Sequence, residues 1–76
     1  MLRIISANLN GIRSAIKKGF LPWAVQQNAD FICMQELKAQ RDDLEEEILN
    51  PDGMHGFFHH AEKKGYSGCG IYTVVH

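Results

Sequence analysis

Glu36 is the residue whose type and position most clearly favour chemistry in this sequence. It follows the run Phe31–Gln35, and a carboxylate at the end of a buried strand is costly unless it is paired, hydrogen-bonded or bound to a metal. Lys38 comes two residues later and leaves two explanations open. The first is an ion pair with Glu36, which periodicity alone favours; the second is an oxygen ligand for a hard divalent cation, with Lys38 near a phosphate.

Two asparagines form the second group of candidate residues. Asn8 and Asn10 lie one residue apart, and Gly11 follows directly. Asparagine before glycine usually marks a turn, which is the simpler interpretation. Two amides at the mouth of a sheet could instead hold a phosphate oxygen or a water bound to a metal ion.

Basic residues follow the asparagines on a predicted helix. Arg13 and Lys17 lie one helical turn apart, and Lys18 is next to Lys17. They form either a solvated helix face or a phosphate-binding face, and the Arg13 guanidinium can bind a phosphate through two hydrogen bonds. Tyr66 lies in the glycine-rich segment 65–70, which lacks the spacing of a dinucleotide-binding loop, so Tyr66 contacts a sugar or base or packs internally.

Three histidines, His55, His59 and His60, raise the question of a zinc site. In an extended strand His55 and His59 share a face and His60 points away, and no cysteine or acidic partner completes the ligand set. We therefore expect a half-exposed strand here rather than a metal site.

The candidate residues must be brought together by the elements around them. Residues 2–7 and 31–35 are apolar runs typical of buried strands. Apolar periodicity between them predicts a helix in two pieces, with Pro22 near the first turn of the second. This order predicts a β-α-β unit with parallel strands, so that Asn8 and Glu36 emerge at the carboxyl edge of one sheet, where ligand sites form. The apolar stripe of the predicted helix consists of Ile12, Ile16, Phe20, Trp23 with Ala24, and Gln27.

The second half of the chain is predicted to hold a short helix and a hairpin. Residues 42–49 carry acidic side chains around Leu44 and Ile48, which predicts an amphipathic helix with a solvated acidic face. We expect this acidic segment to lie away from the basic residues. The other predicted elements are a turn at 50–53, strands at 56–61 and 70–75, and a polar turn at 62–65 that joins the two strands.

The composition limits the class of protein. The chain has 76 residues, a formal net charge of −1 and 45% hydrophobic residues, which is typical of a globular domain and not of a disordered or fibrous protein. The near-zero charge excludes a basic module that holds nucleic acid by bulk electrostatics alone. Cys33 and Cys69 leave a disulfide or free thiols open, and the lack of an export signal favours free thiols. Without a long apolar run, we expect a cytoplasmic protein that does not enter a membrane.

Three segments, 4–13 (IISANLNGIR), 29–38 (ADFICMQELK) and 64–71 (KGYSGCGI), carry a resemblance to a known family. In this order and at these intervals they resemble the opening strand and turn, the Gln-Glu-x-Lys strand and the glycine-tyrosine loop of the exonuclease III type of AP endonuclease. That type belongs to the endonuclease/exonuclease/phosphatase superfamily. The resemblance implies an α/β fold, with residues 1–76 as the N-terminal portion of a single domain, a four-layer α/β/β/α sandwich of the deoxyribonuclease I type.

The resemblance also assigns roles residue by residue. Asn8 and Glu36 match the metal site, with Glu36 as the carboxylate ligand, and Asn10 matches a position near the metal and the scissile phosphate. Lys38 matches the lysine that helps order the metal-site carboxylates, and Leu37 stands where threonine is common. The positions that match contacts with DNA are Arg13, Lys17, Lys18 and Tyr66.

The implied activity is cleavage of double-stranded DNA at abasic or damaged 3′ ends, with Mg²⁺ or Mn²⁺ as the cofactor and a monomer as the active species. It would include AP endonuclease, 3′–5′ exonuclease and 3′-phosphatase action. The family's remaining catalytic residues would lie beyond this chain, so we expect the isolated 76 residues to be inactive. Two alternatives stay open: a superfamily phosphoesterase acting on a small or lipid phosphate, and a non-catalytic α/β binding module if the chain is complete.

Overall fold

The computed structural model describes residues 2–61 and 67–74, which form one four-stranded mixed sheet with helices. The strands are β1 (Ile4–Asn8), β2 (Phe31–Gln35), β3 (Met54–His60) and β4 (Gly68–Val74), in the spatial order β1-β2-β4-β3. Strands β1 and β2 are parallel, whereas β4 runs antiparallel to both of its neighbours. The predicted β-α-β unit and the antiparallel pairing of the two hairpin strands are therefore confirmed, whereas the predicted turn at 62–65 lies outside the described residues.

Three short helices pack on one face of this sheet. Helices α1 (Ile12–Lys17) and α2 (Phe20–Gln26) connect β1 to β2, and α3 (Glu46–Leu49) precedes β3. The break between α1 and α2 falls at Gly19, whose φ of +97° lies in the left-handed region that favours glycine. Pro22 lies in the first turn of α2, where its missing N–H costs no helical hydrogen bond. The prediction of two helical pieces is confirmed.

The core lies between the helices and the covered face of the sheet. Its most completely buried large side chains are Tyr72, Ile12, Ile32, Met34 and Leu37. The Tyr72 ring packs edge-on against Phe58, and its hydroxyl donates a hydrogen bond to the Ile48 carbonyl oxygen at 2.5 Å. Burial raises the pKa of the Tyr72 hydroxyl above its usual value. These contacts fix the hairpin to α3.

The prediction that β1 and β2 are buried strands is wrong for one of their two faces. Ile4 and Phe31 pair across these strands and are both exposed, whereas Ile32 on the other face is buried. Phe57 of β3 is 64% exposed on the same open face. Side chains alternate across a strand, and the described helices cover one side only, so this part of the chain forms a one-sided sheet.

The prediction of one helix over residues 42–49 is also wrong. Arg41–Asp43 form a single 3-10 turn, closed at 2.9 Å by a hydrogen bond from the Gln40 N–H to the Asp43 carboxylate. Leu44 then adopts an extended conformation with φ −111° and ψ 126°, and the helix resumes only at α3. Leu44 is buried in the core, so the chain leaves the helical path to place this side chain there.

Cys33 and Cys69 lie on the neighbouring strands β2 and β4, and both are free thiols, as expected. Among residues 2–61 and 67–74, no helix is long and apolar enough to span a membrane.

Candidate active site

Two loops meet at the carboxyl ends of the parallel strands β1 and β2. The backbone N–H of Leu9 donates to the Gln35 carbonyl oxygen at 3.0 Å, and that of Gly11 donates to the Glu36 carbonyl oxygen at 2.8 Å. These bonds continue the parallel pairing past the end of β1 and hold the two loops side by side. The expectation that Asn8 and Glu36 emerge at one edge of the sheet is confirmed.

Buried apolar residues anchor both loops from below. The N–H of Ile12 donates to the Leu37 carbonyl oxygen at 2.9 Å, and both side chains are 0% exposed. Leu37 lies between Glu36 and Lys38, and Ile12 directly follows the Asn8–Gly11 loop. The apolar core therefore fixes the position from which each polar side chain departs.

Three residues of the site hold left-handed backbone conformations. The φ angle is +47° at Asn10, +54° at Glu36 and +53° at Lys38. Asparagine tolerates this region, but glutamate and lysine rarely adopt it, and each such residue costs about 1–3 kcal/mol. Strain of this kind persists only where the surrounding contacts enforce it, and it concentrates at functional sites.

The side chains of these loops form a connected polar network. The Asn8 Nδ2 donates to Oε2 of Glu36, and the Asn8 Oδ1 accepts the backbone N–H of Asn10 at 3.1 Å. The Lys38 Nζ donates to Oδ1 of Asn10 at 2.5 Å. The ion pair between Glu36 and Lys38 that periodicity favours is not formed, because each side chain bonds an asparagine of the other loop instead.

The donor set of this network fits a hard divalent cation as part of a larger site. A carboxylate can only accept hydrogen bonds, so Glu36 fixes the Asn8 amide with its nitrogen toward the carboxylate. Within the described part of the chain, Oε1 of Glu36 accepts no hydrogen bond, which leaves one hard oxygen available. Asn8 acts here as a partner that orients the carboxylate. The described residues contain no cluster of three or more His, Cys, Asp or Glu side chains able to hold a metal.

Helix α1 separates two open cavities beside the site. The first, which we call the amide cavity, has a volume of about 420 Å³ and is lined by residues that include Asn8, Asn10, Lys18, Phe20 and Trp23. Lys18 therefore lines the same cavity as the two asparagines.

The second cavity, which we call the charged cavity, lies on the other side of α1. Its charged lining residues are Arg13, Lys17, Lys38, Asp43, Glu45 and Glu47. The Arg13 guanidinium Nη1 lies 4.0 Å from Oδ1 of Asp43. The expectation that the acidic segment lies away from the basic residues is wrong, because the 3-10 turn and α3 fold back against α1.

The remaining candidates fall outside this network or outside the described residues. Tyr66 lies outside the described residues, but Gly68 is included, and its carbonyl oxygen accepts the Leu37 N–H at 3.2 Å. On β3, His55 and His59 lie on the open face and His60 on the covered one, as predicted. The His60 Nδ1 contacts the Ala39 carbonyl oxygen at 2.8 Å.

Trp23 is a residue of the amide cavity that the sequence did not identify. Periodicity placed Trp23 together with Ala24 on the apolar stripe, yet Ala24 is 2% exposed and Trp23 is 43% exposed. The packing of α2 on the sheet separates the two neighbours: it buries Ala24 and leaves the Trp23 indole facing outward. The signal available in the sequence was the proximity of an aromatic residue to Lys18.

Known proteins resemble this chain over almost all of its length. Residues 5–73 match the model of the Endonuclease/Exonuclease/phosphatase family. An exodeoxyribonuclease of Bacillus subtilis is 37% identical over 73 residues, which make up 95% of this chain and 28% of that protein. A DNA-(apurinic or apyrimidinic site) endonuclease of Dictyostelium discoideum is 33% identical over 72 residues, covering 95% of this chain and 20% of the relative.

Solved structures give the same result. An AP endonuclease from Archaeoglobus fulgidus matches with a TM-score of 0.82 and 33% identity, over 96% of this chain and 27% of the other. The chain therefore spans less than a third of the length of these relatives. The predicted α/β fold class is confirmed, and the described residues supply one sheet and the helices on one of its faces. From its sequence, its fold and the loops that meet at β1 and β2, the chain belongs to the endonuclease/exonuclease/phosphatase family and is similar to its exonuclease III and AP endonuclease type.

Proposed function

We propose that this chain is the N-terminal part of a Mg²⁺-dependent DNA-repair phosphodiesterase that cleaves duplex DNA at abasic sites. The protein would also have 3′–5′ exonuclease and 3′-phosphatase action, accept Mn²⁺ in place of Mg²⁺, and work as a cytoplasmic monomer. The observation that carries this proposal is the network of Asn8, Asn10, Glu36 and Lys38 at the carboxyl edge of β1 and β2. The relatives named as exodeoxyribonuclease and as DNA-(apurinic or apyrimidinic site) endonuclease support DNA as the substrate.

Glu36 is the metal ligand in this proposal. Its Oε1 is the available hard oxygen, and the Asn8 amide holds the other carboxylate oxygen in place. When bound, Mg²⁺ supplies polarisation of the scissile phosphate and stabilises the charge that develops on its oxygens. Glu36 holds a left-handed backbone conformation, and such strain is typical of functional sites, which supports this assignment.

Asn10 and Lys38 bind the phosphate side of the site. The Lys38 ammonium has two further N–H donors besides the one bonded to Oδ1 of Asn10, so it can contact a phosphate oxygen without leaving the network. The Asn10 amide nitrogen donates no hydrogen bond within residues 2–61 and 67–74, and it is free to donate to the same phosphate. Arg13, Lys17, Lys18 and Tyr66 contact the DNA backbone on either side.

The described residues form only part of a catalytic site. Glu36 and Lys38 are the titratable side chains of the network. In this proposal Glu36 binds the metal and Lys38 binds the phosphate, so the network has no further group to deprotonate the attacking water. Because the chain spans 28% of the Bacillus subtilis relative, we assign the general base to residues beyond position 76. The isolated chain is therefore inactive, and the longer protein is active.

The test is a cleavage assay with the full-length protein and with the 76-residue chain. Each is incubated with Mg²⁺ and a duplex containing a single abasic site, and in parallel with a small phosphomonoester and a phosphoinositide. We expect incision of the duplex by the full-length protein alone. Hydrolysis of a small or lipid phosphate without DNA cleavage would favour the alternative phosphoesterase. A binding module would be favoured if the 76-residue chain is compact and unfolds cooperatively while neither protein acts on any of the three substrates.

A further inference from the structure

Trp23 is exposed and is not part of the hydrophobic core. The indole is 43% exposed and lines the amide cavity, whereas its neighbour Ala24 makes the buried contact of this helical turn. Among the described residues no group accepts a hydrogen bond from the indole N–H. An exposed tryptophan with an unused donor is available for a ligand.

The backbone around Trp23 holds the ring beside the cavity. Gly19, with its left-handed φ of +97°, is the N-cap of α2, and the Trp23 N–H donates to the Gly19 carbonyl oxygen at 3.3 Å. The Phe20 ring stacks on the indole, with centroids 6.0 Å apart and an interplanar angle of 28°. Phe20 thus supports the indole, which reduces the entropy lost when a ligand stacks on it.

The same cavity contains one end of the candidate active site. Asn8 and Asn10 line it together with Trp23, so a ligand on the indole would adjoin a phosphate held by the asparagines. Lys18 is the charged lining residue of this cavity, and the described residues place no acidic side chain there. The volume of about 420 Å³ lies within the range of roughly 300–1,000 Å³ for small-ligand sites.

We propose that Trp23 stacks on one nucleoside unit of the DNA strand beside the cleaved phosphodiester, while Lys18 binds the phosphate of that unit. The inference rests on the proposed function, since it takes DNA as the substrate. An aromatic platform with an adjacent cation is the general arrangement for binding a nucleic acid strand. Stacking accepts any base, which suits an enzyme that must find a lesion in every sequence context. Trp23 is a positioning residue in this scheme.

The test uses the full-length protein and compares Trp23→Ala with Trp23→Phe, and Val25→Ala serves as the matched control. Val25 lies on the same helix, is 42% exposed and does not line the cavity. We expect Trp23→Ala to weaken binding to an abasic duplex about 5- to 100-fold. Its KM should rise with little change in kcat, and Trp23→Phe should restore most of the affinity. Val25→Ala should bind as the parent does.

A fluorescence measurement keeps the inference testable if Trp23→Ala folds poorly. Trp23 is the sole tryptophan of the 76 residues, and subtracting the emission of Trp23→Phe from that of the parent isolates its signal in the full-length protein. Stacking predicts quenching of this signal when the abasic duplex binds. Unquenched emission, or parental KM in a folded Trp23→Ala, would overturn the inference and leave the proposed function intact if the parent cleaves DNA. A parent that neither binds nor cleaves DNA would overturn both.

Discussion

The two cavities beside α1 are built from one helix but differ in charge. The amide cavity combines two asparagines and an exposed indole with Lys18 as its charged residue. The charged cavity sets three basic side chains, Arg13, Lys17 and Lys38, against the acidic residues Asp43, Glu45 and Glu47. Neighbouring residues Lys17 and Lys18 therefore line cavities of different charge: acidic side chains accompany Lys17 but not Lys18.

The difference shows that the basic residues of α1 do not form one uniform DNA-binding face. A phosphate that approaches Lys18 meets no acidic side chain among those that line the amide cavity. A phosphate that approaches Lys17 meets the carboxylates of Asp43, Glu45 and Glu47, which offset the attraction of the basic side chains in this cavity, and salt screens both effects. We infer that Lys18, on the side of the amide cavity, attracts a DNA phosphate more strongly than Lys17 does.

The largest effect is expected at Glu36, which bonds Asn8 of the amide cavity, and Glu47 of the charged cavity gives the comparison. Glu36→Gln removes the proposed metal ligand and should lower the incision rate of the full-length protein roughly 100- to 1,000-fold, because charge stabilisation by a metal is worth several kcal/mol. Glu47→Gln changes an exposed carboxylate of the charged cavity and should retain activity. The measurement is the single-turnover rate on an abasic duplex at saturating Mg²⁺. Equal losses in the two variants would contradict a special role of Glu36 relative to the carboxylates of the charged cavity.

A smaller effect is expected from the two neighbouring lysines. Lys18→Ala should reduce the salt dependence of DNA binding by about one unit in the slope of log K against log salt concentration, as for one lost phosphate contact. Lys17→Ala should change the slope less, because the nearby acidic residues offset its charge. Titrations of the same duplex between low and physiological salt give both slopes. A larger change for Lys17→Ala would reverse this ranking of the two lysines.

The smallest effect is expected away from both cavities, at Tyr72. Tyr72→Phe removes the hydrogen bond to the Ile48 carbonyl oxygen and should lower the free energy of unfolding by about 1–2 kcal/mol, with DNA cleavage unchanged. Burial raises the pKa of Tyr72, so the stability it contributes is fully present below the unfolded pKa of about 10 and declines as the pH rises above that value. Urea unfolding of the parent should show this alkaline decline, and the Phe variant should show less of it. An identical decline in both would assign it to other groups.

The central part of the site could be predicted from the sequence because it follows from topology. Two apolar runs separated by a helical pattern predict parallel strands, and parallel strands bring the residues after them to one edge. Asn8 and Glu36 meet for this reason, and no knowledge of their side-chain contacts was needed. The resemblance added the roles of these residues, which periodicity alone left open.

The partners of the site residues could not be predicted, since they depend on backbone conformations that the sequence does not signal. Glutamate and lysine rarely adopt a positive φ, yet Glu36 and Lys38 both do, and this turns Lys38 toward Asn10. The split of the acidic segment follows from the burial of Leu44, a tertiary contact that overrides local helical preference. The 3-10 turn and α3 also bring the acidic residues against α1, and neither the net charge nor the residue spacing predicts this contact.

Paramagnetic broadening by Mn²⁺ locates the cation most directly. The side-chain amide signals of Asn8 and Asn10 are followed by NMR in the full-length protein as Mn²⁺ is added. Asn50 is the internal control, because its Nδ2 also donates to a glutamate, Oε1 of Glu46 at 2.9 Å, but at the C-terminal end of α3. We expect the Asn8 and Asn10 signals to broaden first in the parent and to persist in Glu36→Gln. Preferential broadening of Asn50, or equal broadening of Asn8 in the parent and in Glu36→Gln, would contradict a metal site at Glu36.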